Sequence, residues 1–273
     1  MAHHTRPTDA GIREFHIGAF GLSITLAGDC PSTVLSLQRH LLPWLPRLPA
    51  SAGSRNLLLS IWSGPLQGRF RLERNHSLLG SDVTEPSLLS LLQQVVEEEI
   101  VQHSPDFVAV HSGVVVYDGV AVLLPGQSQS GKTTLVRELI ARGAEYSSDE
   151  FAMIDGCGRI YPWPRALMVR DADSVQHPIP ARDLGANVRS GPARGGLILF
   201  LQYDRDAQFQ VRPVSQSGAL LGLLRNTPHT LADSPRILRP LTSVVTAAVA
   251  YEGVRGDAAQ AADGLQRIIA PLS

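Results

Sequence analysis

The sequence predicts an α/β (α+β) chain in two parts, a small N-terminal α+β unit over residues 1–104 and a larger α/β unit over residues 105–273. Three observations carry this expectation. Short apolar runs of buried-strand type alternate with segments whose apolar residues recur at helical spacing. One such run, residues 120–124, passes through a glycine-bounded loop straight into a helical segment. Finally, 273 residues with a hydrophobic fraction of 44% suffice for a sizeable core, in one large domain or two small ones.

In the first part, residues 15–26 read as two short strands, with Gly18 and Gly21 marking the bend between them. Pro31-Ser32-Thr33 opens a helix that carries Val34, Leu35, Leu37, Leu41 and Leu42, and Pro43 ends it. Residues 48–54 are loop by composition. Residues 57–62 and 69–73 read as strands joined through Ser63-Gly64-Pro65, so residues 14–78 form a small α+β unit without a catalytic signature. Residues 88–100 are strongly amphipathic, and Glu97, Glu98 and Glu99 read as the solvated face of that helix rather than as a metal site.

The second part opens with a strand over residues 107–117 and Asp118-Gly119, a favoured two-residue hairpin turn. The next strand, residues 120–124, runs into Gly126, Gln127, Ser128, Gln129, Ser130, Gly131, Lys132, Thr133 and Thr134, which fit the phosphate-loop pattern G-x-x-x-x-G-K-[ST]. In such a loop glycines let the backbone approach phosphates, successive N–H groups point at the anion, and the helix N-terminus adds partial positive charge. The pattern assigns Lys132 to the outer phosphates and the Thr133 hydroxyl to magnesium. Of 24 basic residues one is lysine, leaving 23 arginines, and that lysine is Lys132. The exception falls where a compact, flexible ammonium serves better than a planar fork.

Gly143 is a natural stop for the loop's helix. Residues 146–154 read as a strand with Asp149 and Glu150 in its middle, a costly pair to bury unless a cation or proton donor meets it. A strand that follows the loop's helix returns toward the bound phosphates. Residues 161–165 are a rigid extended turn, and residues 170–194 read as a long, mobile loop of the kind that covers an active site. A buried strand over residues 196–201 is followed by a strand at 208–213, helices at 215–226 and 237–247, a strand at 249–254 and an amphipathic helix at 257–270.

A formal net charge of -1 without any basic run argues against nucleic acid or an anionic membrane surface as an obligatory partner. Cys30 and Cys157 stand far apart, in neither a disulfide framework nor metal-ligand spacing, so a reducing cytosol is the expected compartment. The N-terminus has no apolar core of signal-peptide length, and no stretch of roughly eighteen apolar residues occurs, so a soluble cytoplasmic protein is expected.

Beyond the loop itself, the spacing resembles the catalytic domain of the HPr kinase/phosphorylase family, a P-loop kinase core of the HPr kinase / PEP carboxykinase-like type. His111 precedes Gly126 by fifteen positions, Asp149-Glu150 begins twenty-three positions after it, and Arg142-Gly143 matches the family's Arg-Gly before the acidic strand. Pro192-Ala193-Arg194-Gly195 is similar to the family's Pro-Gly-Arg-Asn turn, and the resemblance spans roughly residues 105–205. Glu150 stands where the bifunctional enzymes have Asp, Gln129 replaces a loop glycine, and the Arg-Gly-x-Gly-Ile-Ile signature is missing. With its Pro162-Trp163-Pro164 turn, the chain looks more like the HPr-kinase-related proteins of peptide-modifying clusters, including kinases of lasso-peptide precursors.

The resemblance implies ATP- and Mg2+-dependent transfer of a γ-phosphoryl group to a Ser or Thr hydroxyl, with a precursor peptide or small protein as acceptor. It implies Asp149 as general base, His111 orienting or tuning it, Glu150 joining Thr133 on magnesium, and Arg194 clamping the phosphoryl group. The N-terminal unit is expected to recognise a substrate or partner, and a homo-oligomer stays open. A kinase of a small free hydroxyl, such as free serine, and a non-catalytic ATP-binding switch or scaffold are the alternatives.

Overall fold

In the computed structural model, which describes residues 12–42, 45, 55–126, 130–170, 175–228 and 234–272, the first hairpin sets the register of the N-terminal sheet. Its strands β1 (Arg13–Ala19) and β2 (Leu22–Gly28) meet at Phe20-Gly21, both at positive φ, 47° and 78°. Those angles fit the right-handed twist of a tight hairpin. Helix α1 (Pro31–Leu41) follows, with proline in its first turn, and leads to β3 (Arg55–Ser63), which pairs parallel to β2. Strands β4 (Arg69–Arg74) and β5 (Ser77–Thr84) complete an ordered sheet β1-β2-β3-β4-β5.

Strand β5 escapes the sequence reading, and the unit extends past residue 78. Asn75 and His76 both adopt positive φ, 47° and 69°, making the two-residue turn that joins β4 to β5. As an edge strand with mostly exposed or half-buried side chains, β5 has no apolar alternation to read. Thr84 then caps α2 (Glu85–His103), its hydroxyl accepting the Ser87 N–H at 3.5 Å. The three glutamates of α2 are not all solvated: Glu98 is exposed, but Glu99 is buried and meets Arg74 at 3.3 Å. A buried carboxylate with a cationic partner is the tolerated exception.

By contact the chain divides into two units, Met1–Pro105 and Asp106–Ser273. The second is built on β6 (Phe107–Tyr117) and β7 (Val120–Pro125), an antiparallel pair turning at Asp118-Gly119 with φ of 48° and 80°. After β7 come α3 (Lys132–Ala141), β8 (Glu145–Ser148), β9 (Phe151–Asp155) and β10 (Arg159–Tyr161). A hairpin of β11 (Leu167–Arg170) and β12 (Gln176–Ile179) precedes β13 (Ala193–Tyr203) and β14 (Gln210–Pro213). Helices α4 (Gln216–Arg225) and α5 (Ser234–Ala247), strand β15 (Val249–Arg255) and helix α6 (Ala258–Ile269) finish the chain.

The sheet order is β10-β9-β6-β7-β13-β15-β14, with β8 also on β6, and β7, β13 and β15 run parallel. Its two faces carry separate cores. Val122 and Leu124 of β7 pack with Leu135, Val136 and Leu139 of α3 and with Leu265 of α6. Ala121 and Leu123 face the other way, with Leu223 of α4 and Ile237, Leu241 and Val244 of α5. Burial on both faces explains why residues 120–124 form an unbroken apolar run.

Two expectations change here. The stretch 146–154 is not one strand: β8 and β9 both pair with β6, and Asp149 and Glu150 occupy a bend between them. The stretch 170–194 is not a structureless loop either. It holds β12 and a 3₁₀ turn at Ala181–Leu184, and its later part is fastened to β8, where Tyr146 N–H donates to Asn187 O and Arg189 N–H to Tyr146 O. Arg189 also meets Glu145 at 2.7 Å. Residues 171–174 lie outside the described residues.

Candidate active site

Three elements converge where β7 ends. Strand β7 delivers Gly126, whose N–H donates to His111 O at 3.2 Å, and α3 begins six residues later at Lys132. Gln127, Ser128 and Gln129 lie outside the described residues, while Ser130 and Gly131 close the loop onto the helix. Gly131 caps α3 in the left-handed conformation, φ 76°, and a Cβ there would collide with the Arg255 guanidinium, so two separate constraints favour glycine. Lys132 folds back over the loop and donates to Gly126 O at 2.6 Å.

The bend after β8 brings in the acids. Thr133 Oγ1 donates to Asp149 Oδ2 at 2.6 Å, joining the helix start to the acidic bend. Asp149 Oδ1 and Ser130 Oγ are buried with no hydrogen-bond partner among the described residues. Buried polar groups are nearly always satisfied, so these two atoms have hydrogen-bonding capacity to offer a ligand. Glu150 is half-buried, and its carbonyl accepts Ser112 N–H at 3.0 Å.

Gly131, Lys132, Thr133, Thr134, Asp149 and Glu150 line a cavity of about 400 Å³. Its far wall is formed by Met168, Val169, Arg170 and Gln176 of the β11–β12 hairpin. Arg137 lines it as well.

The electrostatics follow from burial. Burial raises the Asp149 carboxyl to about 7, against the Thr133 hydrogen bond; Glu150 adds to the rise and Lys132 opposes it. The Lys132 ammonium is lowered by burial, with Asp149 and Glu150 pulling it back up. His111 is lowered first by burial, against the Glu150 charge, and further by Lys132. Its ring stands 4.3 Å from the Phe151 ring, which stacks at 5.8 Å on Trp163, a fully buried residue of the Pro162-Trp163-Pro164 turn. The turn therefore buttresses the histidine through two aromatic layers.

The structure brings together Gly126, Ser130 to Thr134, His111, Asp149 and Glu150, but not Arg194. Arg194 is exposed at the start of β13, level with Val120, and the loop follows the other end of β7. Val120 and Pro125 are five residue steps apart along the strand, a span of about 17 Å. The arginines that line the cavity are Arg137 and Arg170 instead. The Thr133 hydroxyl is bonded to Asp149 and not to Glu150.

Arg255 is the functional candidate that sequence reasoning missed. At the end of β15, and only 2% exposed, it donates through Nη2 to Gly131 O at 2.6 Å and through Nη1 to Gly256 O at 3.1 Å. Its guanidinium also lies 5.2 Å from the Tyr203 ring centroid. The arginine thus ties the end of β15 to the carbonyls of Ser130 and Gly131, where the loop meets α3. Hydrogen bonds to a charged group contribute roughly 1.5–3 kcal/mol, so Arg255→Ala is expected to weaken the binding of a phosphate-bearing ligand at this loop by about tenfold or more. Calorimetry beside a melting curve checks this, and unchanged affinity in a folded variant would reduce Arg255 to a core residue.

No protein-family model matches the chain, and no curated protein matches it. Among solved structures, the chain is similar to the Hpr(Ser) kinase/phosphatase from Coxiella burnetii at 16% identity, over 60% of this chain and 87% of that one. The TM-score is 0.29, a value at which the likeness does not by itself define a shared fold. The chain's own geometry defines a mixed α/β protein with a glycine-capped helix start facing an acidic bend. Among the described residues, no helix is long and apolar enough to cross a membrane.

Proposed function

We propose that the chain is an ATP- and Mg2+-dependent kinase that transfers the γ-phosphoryl group to a Ser or Thr hydroxyl. The observation that carries this reading is the 2.6 Å bond from Thr133 to Asp149 at the start of α3, beside Lys132 in one cavity. Beside a phosphate loop an acid serves the magnesium or the acceptor. A phosphoryl transfer needs one, because the acceptor's proton has to go to a base as its oxygen bonds to phosphorus.

In this reading the loop amides, the N-terminus of α3 and Lys132 hold and neutralise the phosphates. The acceptor oxygen attacks the γ-phosphorus, the bond to the β,γ-bridging oxygen breaks, and ADP leaves with that electron pair. Asp149 takes the hydroxyl proton, and His111, fixed by Phe151, orients the acidic bend. Arg137 and Arg170 take the part of the clamp first assigned to Arg194.

The donor set also fits magnesium. Thr133 offers a hydroxyl oxygen and Glu150 a carboxylate, with Asp149 Oδ1 lacking a partner among the described residues. No cluster of three or more His, Cys, Asp or Glu among the described residues would hold a metal by protein ligands alone. A metal bound through one or two carboxylates and completed by substrate phosphates is the usual arrangement for magnesium. Thr133 and Glu150 would hold it, and it would supply neutralisation of charge on the phosphoryl oxygens.

The acceptor class supported by the sequence resemblance is a ribosomally made precursor peptide of lasso type, or a small protein, with the N-terminal unit as the part that recognises it. Incubation with ATP, Mg2+ and either a candidate peptide or free serine, followed by mass spectrometry, tests this. One added phosphate on the peptide alone is expected. Phosphate on free serine would transfer the assignment to a small-molecule kinase, and ATP binding without any product would leave a switch or scaffold.

A further inference from the structure

The kinase reading places phosphates and acceptor but leaves the nucleoside without a site. Asp149 and Glu150 lie on the β6, β8 and β9 side of β7, so the chemistry of transfer occupies that side. On the opposite side stand β13 and β15, parallel to β7, so their carboxyl ends emerge at the same edge of the sheet as the loop. Ligands of open α/β sheets bind outside the carboxyl ends of the strands.

A second cavity, of about 660 Å³, opens there between these strand ends and α4, and it reaches Pro125, the residue before the loop. Its walls include Phe200 and Leu221, and its polar groups are the amides of Gln202 and Asn226 together with the charged Arg225 and the Arg212–Glu252 pair. Leu221 is 56% exposed, whereas the other apolar side chains of its helix are buried or half-buried. A Cβ on Gly222 would stand 2.5 Å from the Phe200 ring, so glycine lets that aromatic ring lie against the helix backbone. Asn226 O accepts His111 N–H at 2.7 Å, which fixes the end of α4 beside the catalytic strand.

We propose that this cavity, walled by Phe200 and Leu221 and joined to the loop at Pro125, takes the nucleoside of the nucleotide whose phosphates the loop holds. A purine has apolar faces and a polar edge, and this cavity pairs apolar walls with amide side chains that both donate and accept. An acceptor hydroxyl has to meet Asp149, which lines the other cavity and not this one.

The inference rests on the loop binding phosphates, and the test separates the two. ATP and inorganic tripolyphosphate, both with Mg2+, are titrated calorimetrically into the wild type and into Leu221→Asp, an exposed substitution expected to leave the melting temperature unchanged. ATP is expected to bind the wild type about tenfold tighter than tripolyphosphate, and Leu221→Asp to remove that advantage while tripolyphosphate affinity stays the same. Photolabelling with 8-azido-ATP is expected to mark peptides from β13 or α4. Equal binding of ATP and tripolyphosphate, loss of both in Leu221→Asp, or a label on the β11–β12 hairpin would each overturn the nucleoside site and leave the phosphate loop standing. Binding of neither ligand would overturn the phosphate loop, and the nucleoside site with it.

Discussion

Lys132→Ala is expected to raise the dissociation constant for ATP by about a hundredfold or more and to leave the melting temperature close to that of the wild type. The lysine is half-buried at the cavity, donates to the loop carbonyl of Gly126, and belongs to neither core. Burial lowers its ammonium against the pull of Asp149 and Glu150, so the site holds a cation at a cost that a bound phosphate offsets further. Lys132→Arg is expected not to restore binding, because a planar fork cannot replace a compact ammonium folded over the loop. Calorimetric titration decides the matter, and wild-type affinity in Lys132→Ala would remove the phosphate site from the protein.

The loop and its helix were legible because everything they need is contiguous: a strand buried on both faces, two glycines, a lysine and a threonine. The acids were legible as charges inside an apolar stretch, although their local geometry was not. Asp149 and Glu150 interrupt the ladder opposite Ser112 and Gly113, and a bend there costs fewer buried charges than a continuous strand would. Gly113 contributes room, since a Cβ on it would stand 2.8 Å from Val136 of α3.

What the sequence could not show depends on distant register. Arg255 reaches Gly131 across 124 positions, and no local pattern announces that a strand will end on a loop so far back in the chain. Arg194 illustrates the reverse. Its motif was recognisable, but parallel pairing of β13 with β7 sets it level with Val120, at the wrong end of the sheet. Arg137 and Arg170 come to the cavity only because α3 and the β11–β12 hairpin face each other across it. Position within a motif settles chemistry only when the fold also fixes which end of the strand the motif occupies.

Asp149→Asn separates catalysis from stability. The folded carboxyl titrates at about 7 against an ordinary 3.8, so between these values the unfolded chain is ionised and the folded protein is not. Stability contributed by this group is full below the lower value, declines as pH rises and is lost above about 7. In the nucleotide-free protein, Asp149→Asn is therefore expected to be more stable than the wild type at about pH 8, by roughly 4 kcal/mol at most, with the difference shrinking toward about pH 4. Asparagine keeps an oxygen for the Thr133 hydroxyl, so nucleotide affinity is expected to hold within a few-fold. Transfer is expected to fall by roughly a hundredfold or more, because no base remains to take the acceptor's proton. Melting curves across pH, ATP titration and single-turnover transfer rates read the three effects separately. A variant that gains stability and keeps full turnover would make Asp149 a strained structural acid, and one that loses ATP affinity along with turnover would make it chiefly a magnesium ligand.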